Sequence, residues 1–333
     1  MERKYNYVLV IGDTENIEVM YKDFDNFEGC QLLLLKRKYY KSTVFDTFLL
    51  SKKIPFFLIR NMVYDLKKYF YIKKHFASIK KDIRYLDNGK KNCFIVYARD
   101  FEYFGRFFLR VIKRYYPDAY FVCYFGDVVS SFYMKMRLFR KNFSKLFSFD
   151  LHDCTQENMI HIQEPFSLHN FTEKPNAEYD VMFVGAAKDR LVKILNVYKA
   201  LRQKGFKTDF HIVGVRDTEQ LFADDIVYNK PLNYKEVLQH VIKSRCVLEI
   251  LQKNASSPTT RYSEALIFNK FLITDCAYFK DRDDIPENVI YFDQIKDIDW
   301  SKLNTDLKNV NPKFLKELSV GNFIEIIDSN VGY

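Results

Sequence analysis

The strongest constraint on the fold is an alternation in the sequence. Short runs dominated by Val, Ile, Leu, Cys, Tyr and Phe, such as Val8-Leu9-Val10-Ile11, are separated by longer amphipathic stretches through both halves of the 333-residue chain. Runs that are apolar at every position suit strands buried on both faces. The stretches between them suit the helices that cover such strands, so the pattern predicts βα units around parallel sheets. In the first half the predicted strands span 7–11, 31–35, 93–96, 119–124 and 145–149, and the predicted helices span 56–80, 101–115 and 130–141. Periodicity lapses over 165–179, where Pro165 and Pro175 enter, as expected of an interdomain linker. It resumes with strands at 180–184, 208–213, 246–251 and 271–274 and helices at 188–204, 234–243 and 261–268. The expected fold class is α/β: two tandem Rossmann-like, doubly wound parallel-sheet domains, at 1–164 and 180–311. A terminal helical segment, interrupted near Gly321, occupies 312–333 and in such a protein can cross back to the first domain.

Composition removes several classes. With 48% hydrophobic residues, 10 Gly and 8 Pro, the chain is neither disordered nor collagenous nor of low complexity. No apolar run approaches the roughly 18 residues of a membrane span, and the N-terminus lacks a signal-peptide pattern. A cytoplasmic location is expected. The six Cys stand singly, without the close pairs of a zinc ribbon or redox motif, and read as structural thiols. The six His are equally scattered, with His152 and His161 lacking a second ligand pair and His211 inside a predicted strand, so no metal site is expected.

Charge is unevenly distributed. Residues 1–150 hold 29 Lys+Arg against 16 Asp+Glu, whereas 151–333 hold 23 against 27. The first half interleaves its basic residues with aromatics, as in Lys67-Lys68-Tyr69-Phe70-Tyr71, and such a surface attracts polyanions. Nucleic acid and the anionic headgroups of a membrane surface are both candidates, and a compositional bias without a binding role accounts for the same counts. No C2H2 spacing, heptad-backed basic region or RRM-like aromatic signature accompanies the charge, so nucleic acid is not expected as a partner.

Two segments could carry chemistry. In Val184-Gly185-Ala186-Ala187-Lys188-Asp189-Arg190 a predicted strand runs into a helix whose first-turn N–H groups and dipole favour a phosphate. Gly185 allows close backbone approach there, and Lys188 and Arg190 add positive charge. Neither this turn nor Ile11-Gly12-Asp13 is a GxGxxG fingerprint, and no P-loop or GxSxG elbow occurs. In the second segment, strand 246–251 carries Glu249 within an apolar run, and Thr259, Thr260 and Arg261 stand at a predicted helix N-terminus with Glu264 one turn in. A diphosphate and a ribose would satisfy both sets of groups. Helix capping, with Thr260 as the N-cap, accounts for the same hydroxyls, while a buried Glu249 demands a partner.

These residues carry a resemblance. The second half resembles the nucleotide-sugar-binding domain of GT-B glycosyltransferases, especially bacterial enzymes of lipopolysaccharide, capsule and exopolysaccharide assembly. Residues 180–190 match that family's strand and "VG…R" opening, His211 to Gly214 its "IVG" strand, and 247–275 its "LEI.Q…T.R..EAL..K.LIT" segment. In the first half, Tyr124-Phe125-Gly126-Asp127 resembles a "y.wD" element and 147–153 resembles "fSFD..D". The match covers about 120–330, and the first 120 residues only by fold expectation.

The resemblance implies two domains facing a cleft, with the N-terminal one on the acceptor side. It also implies transfer of a hexose or deoxyhexose from a nucleotide-diphosphate sugar, UDP-linked in preference to dTDP or GDP, to a glycan or polyprenyl-diphosphate-linked acceptor. Donor contacts would come from Gly185, Lys188, Arg190, Gly214, Glu249, Thr259, Thr260, Arg261 and Glu264, with no cofactor and no metal. The catalytic base would be Asp127 or Asp13, each directly following a predicted strand. Many retaining relatives carry a second glutamate eight positions before the one matching Glu264; here that position is Ser256, which favours inversion. Peripheral association with the inner membrane face would follow from the basic first domain. Two other readings stand beside this one: a non-catalytic GT-B-like subunit that stabilises an active transferase, and a nucleic-acid-binding α/β protein resting on charge alone.

Overall fold

The computed structural model describes residues 3–12, 14–35, 89–104, 106–168 and 177–332. The predicted helix 56–80, most of the predicted linker and Asp13 lie outside the described residues. Contacts divide the chain into one unit of Met1–Ser148, Asn158–Ile160 and Ile324–Tyr333 and another of Phe149–Glu157 and His161–Phe323.

The first sheet contains β1 (Asn6–Gly12), β2 (Cys30–Leu35), β3 (Asn92–Tyr97), β4 (Tyr120–Phe125), β5 (Lys145–Ser148) and β6 (Ile160–His161), in the order β2-β1-β3-β4-β5-β6. Every pairing from β2 to β5 is parallel. β1, an interior strand flanked by β2 and β3, is buried along its whole length, as its unbroken apolar run requires. Helices α1 (Glu15–Met20), α2 (Ala98–Phe104), α3 (Arg106–Tyr115) and α4 (Met136–Asn142) accompany it, and α5 (Leu151–Glu157) opens the second unit.

The second sheet contains β7 (Tyr179–Ala186), β8 (Thr208–Val213), β9 (Val227–Tyr228), β10 (Ser244–Glu249), β11 (Phe271–Thr274) and β12 (Val289–Tyr291), in the order β12-β11-β10-β7-β8-β9. All its pairings are parallel. Alternation along β7 sends Val181 and Phe183 into one core and Met182 and Val184 into another, so both faces of the sheet are sealed. The cover comes from α6 (Leu191–Gln203), α7 (Tyr234–Lys243) and α8 (Thr260–Ile267). Helices α9 (Pro312–Glu317) and α10 (Val320–Asn330) complete the chain. The six Cys are free and buried, and burial raises the Cys93, Cys123, Cys246 and Cys276 thiols well above their ordinary range. They pack as small apolar groups rather than offering thiolates. No described helix is long and apolar enough to cross a membrane.

The doubly wound class and the longer strands follow the sequence pattern, and several helices depart from it for identifiable reasons. The predicted helix 130–141 is instead a short 3-10 turn at Val129–Ser131 and then α4. The Glu102 carboxylate accepts hydrogen bonds from the Tyr133 and Met134 N–H groups at 2.6 and 2.8 Å, taking donors that a continuous helix needs. The helix predicted from 188 begins at Leu191, because Lys188 has φ 47°, outside the helical region. The terminal break falls between Glu317 and Val320, with Gly321 inside α10. The two-residue strands β6 and β9 are too short to leave a periodic signal.

In the first unit, the chain's end is tied to its beginning. Asp328, on α10, accepts from the Lys4 N–H at 2.9 Å and from the Tyr7 hydroxyl at 2.5 Å, and it is buried. Burial, with the adjoining Asp328 carboxylate, raises the Tyr7 hydroxyl's pKa, so it remains a donor. Tyr7→Phe removes one of those donors from a buried carboxylate and is expected to cost about 1–3 kcal/mol. Urea denaturation of the variant against wild type reads that loss.

Candidate functional site

In the second sheet the strand order reverses between β7 and β10, which are paired neighbours although β8 and β9 intervene in sequence. In an open α/β sheet the helices leave such a pair on opposite faces, and a crevice forms beyond the strands' carboxyl ends. The two segments singled out in the sequence, after β7 and after β10, end at this switch point.

The turn after β7 is held by its own charges. Arg190, the residue before α6, folds its guanidinium back over the strand ends. Its Nε and Nη2 donate to the Ala186 carbonyl at 3.4 and 3.3 Å, and its Nη1 donates to the Ile250 carbonyl just beyond β10. Among the described residues, every hydrogen bond of this guanidinium goes to a backbone carbonyl. Burial, and then the neighbouring Arg261 charge, lower its pKa. The Lys188 ammonium donates to Gln252 Oε1 at 2.9 Å, and Asp189 Oδ2 accepts from the Lys253 N–H at 3.0 Å, so the turn is stitched to the loop after β10. The α6 N-cap supplies no side-chain acceptor to the first-turn N–H groups. At Gly185 a Cβ would meet Phe183 and Arg190 at ordinary contact distances of 3.4 and 3.5 Å, so no steric requirement for glycine exists there. Gly214, exposed at the end of β8, has φ 76°, a conformation that favours glycine.

The segment after β10 forms a buried polar network. Glu249 is 1% exposed, and its Oε1 accepts from the Thr259 N–H at 2.8 Å and the Thr259 hydroxyl at 2.6 Å. Its Oε2 accepts from the Thr274 hydroxyl at 2.7 Å. Burial raises the Glu249 pKa, and these three donors work against that rise. The N-cap of α8 is thus Thr259 rather than Thr260, with its hydroxyl accepting from the Arg261 N–H. Thr260 turns its hydroxyl to Glu164 Oε2 at 2.9 Å. Glu264 is fully buried: it accepts from the Tyr234 hydroxyl at 2.8 Å and from Arg261 Nη1. The other Arg261 nitrogen, Nη2, donates to the Val184 carbonyl at 2.8 Å, which brings this guanidinium to β7 as well. Burial pulls the Arg261 pKa down, but the Glu264 charge outweighs it and leaves the group raised.

The structure therefore gathers Lys188, Arg190, Arg261, Glu249, Glu264, Thr259 and Thr260 around the ends of β7 and β10. It also gives Glu249, Glu264 and both threonine hydroxyls partners within the protein. Asp127 belongs to the other unit, after β4. It is half-exposed and pairs at 3.1 Å with Arg99, whose guanidinium also takes Glu102 at 2.9 Å and lies over the Phe132 ring.

Some residues that build the site were not singled out in the sequence. Asp150, fully buried, accepts from the Ser256 and Ser257 N–H groups at 2.6 and 3.2 Å and from the Ser256 hydroxyl at 3.0 Å. Ser256, eight positions before Glu264, is thus held by the Asp150 carboxylate. Asp275 accepts from the Leu251 N–H at 2.7 Å and pairs with Lys193 at 2.6 Å. An aspartate directly after an apolar strand, as at Phe149-Asp150 and Thr274-Asp275, was the available signal. Tyr234 had none.

The fold is the GT-B-like class: two α/β units, each built on a Rossmann-like sheet of six strands. No protein-family profile matches the sequence, and no curated protein does. Among solved structures, an alpha-glucosyltransferase in complex with UDP and a 13-mer DNA containing an HMU base matches with a TM-score of 0.54 and 10% identity, over 98% of this chain and 99% of that one. At that identity the likeness is one of fold. It corrects the expectation that nucleic acid is excluded as a partner, because a chain of this architecture is solved with DNA bound.

The network has a consequence for stability in the absence of any ligand. Glu264→Ala leaves the partly buried Arg261 guanidinium and the Tyr234 hydroxyl without their carboxylate and is expected to cost about 2–4 kcal/mol, whereas Glu264→Gln, which keeps an acceptor, costs less. Chemical denaturation of the ligand-free variants checks this; a residue serving only a ligand would leave the midpoint where it was.

Proposed function

We propose that the protein is a glycosyltransferase that takes a sugar from a UDP-sugar and passes it to an acceptor hydroxyl, with the second unit holding the donor. One observation carries the reading: two guanidinium groups, Arg190 and Arg261, are drawn to the carboxyl ends of adjacent strands at the switch point, beside the uncapped start of α6. A doubly charged diphosphate offers those guanidinium N–H groups and helix N–H groups their natural acceptor. The GT-B-like fold and its UDP-bound neighbour support the same donor.

In the reaction, the bond between the anomeric carbon and the β-phosphate oxygen breaks while the acceptor oxygen bonds to that carbon. The acceptor proton passes to a base, and UDP leaves with the added charge. Fixed cationic groups aimed at the diphosphate stabilise that charge as it develops, without requiring a metal ion. Lys188 and Arg190 are assigned to the diphosphate, the α6 N-terminus reinforces them, and Arg261 with Glu264 shapes the wall beside them. The base is assigned to the first unit, at Asp127 or Asp13 and at Asp127 first, with Arg99 fixing the Asp127 carboxylate's orientation.

For the acceptor, the resemblance to polysaccharide-assembly enzymes supports a glycan or lipid-linked glycan. A second reading has its own observations: the neighbour solved with DNA, and the basic first half of this chain, support a nucleic-acid acceptor.

UDP is expected to raise the melting temperature more than GDP, dTDP or CMP at equal concentration, through preferential binding to the native state. Arg190→Ala should weaken UDP about tenfold or more, the loss expected for charge-assisted hydrogen bonds. Absence of stabilisation by any nucleotide, together with no transfer from any UDP-sugar, would reject the assignment and favour a non-catalytic subunit. Incubation with UDP-glucose and either DNA or a polyprenyl-linked glycan separates the two acceptor readings by which product gains mass.

A further inference from the structure

Away from the donor segments, β8 and α7 bring together three side chains whose chemistry none of the foregoing uses. Asp209 and His211 stand two apart on β8 and so project from the same face of the sheet, and His240 reaches them from α7. His211 Nε2 lies 3.1 Å from Asp209 Oδ1, His240 Nδ1 lies 2.5 Å from Asp209 Oδ2, and the imidazole centroids are 4.4 Å apart. One donor atom from each of the three residues falls within 4.8 Å of the other two. We propose that Asp209, His211 and His240 form a binding site for one divalent cation of the zinc class.

The donor set selects the ion. Two imidazoles and one carboxylate suit a borderline cation such as zinc, whereas magnesium and calcium take oxygen donors. Zinc holds imidazole nitrogen and carboxylate oxygen at about 2.0–2.2 Å, which places tetrahedral ligands about 3.3 Å apart. The His211–Asp209 separation already matches, and the His240 contact must open by somewhat under an ångström. The three side chains are 13%, 9% and 24% exposed for His211, Asp209 and His240, sheltered yet reachable from the His240 side. That leaves a fourth position for water, as in three-ligand sites.

The His211 ring turns Nε2 to Asp209, while its Nδ1, on the far side of the ring, is buried and has no hydrogen-bond partner in the protein. The ion would join β8 to α7, whose first residue, Tyr234, holds Glu264. The proposal does not rest on the donor assignment, and its failure would leave that assignment standing.

The test uses the full chain stripped of metal with EDTA and dialysed. Titration with zinc chloride by calorimetry is expected to show one ion per chain, and His240→Ala and Asp209→Asn should each weaken it at least tenfold. Cobalt chloride should give the intense visible absorption of a tetrahedral nitrogen and oxygen site, absent in both variants. His152→Ala, which alters an exposed histidine elsewhere, should bind as wild type does. Zinc should also raise the wild-type melting temperature, reversibly on adding EDTA. No saturable zinc binding, an octahedral cobalt spectrum, or equal affinity in both site variants would overturn the proposal. If a variant fails to fold, the wild-type stoichiometry and cobalt spectrum decide the matter on their own.

Discussion

The arrangement at the switch point depends on two arginine side chains resting on strand carbonyls. Arg190 binds the Ala186 and Ile250 carbonyls, and Arg261 binds the Val184 carbonyl. Backbone oxygens at the carboxyl ends of parallel strands carry partial negative charge and have exhausted their ladder partners, so a guanidinium with five donors can bridge several at once. The same contacts set two positive charges near each other in a partly dry setting. Only Arg261 has a carboxylate directly upon it. The positions of these two guanidinium groups are a property of how the strands end, and the Arg190 hydrogen bonds all go to backbone carbonyls.

Around these cations, buried carboxylates serve as fasteners. Glu249 ties the cap of α8 to β11 through Thr259 and Thr274, Asp150 gathers the N–H groups of the 256–257 turn, and Asp275 takes the Leu251 N–H and the Lys193 ammonium. A carboxylate removed from water must find donors, and each of these does. The loop between β10 and α8 is therefore held from several sides. A loop that has to present its backbone to a ligand benefits from such restraint, because little ordering cost remains at the moment of binding.

The same network explains which parts of the site could be read in advance. The placement of Lys188, Arg190 and Arg261 beside the strand ends was legible because a strand, a tight turn and a helix start follow one another in sequence, and that local order sets where the turn points. The partner of Glu249 was not legible. Its apolar neighbours announced burial, but Thr259 and Thr274 lie 10 and 25 residues on and meet it only after β10 and β11 pair. Glu264 read as a ligand contact from its place in a helix. Its actual engagement with Tyr234, 30 residues earlier, comes from the packing of α7 beside α8. The break in the predicted helix 130–141 has the same origin: Glu102, from α2, supplies the competing acceptor.

By itself the sequence determined the period of the pattern, and with it the alternation of strand and helix, the parallel sheets and the two-domain plan. Those follow from residues close together in the chain, where apolar spacing decides which face is buried. Only tertiary structure decided the strand order that puts β7 beside β10, the pairing of Arg261 with both Glu264 and β7, and the meeting of His211 with His240. Each of these joins groups far apart in sequence whose free energy depends on a distance and a degree of burial. No local pattern encodes either quantity, because both exist only once the sheet has assembled.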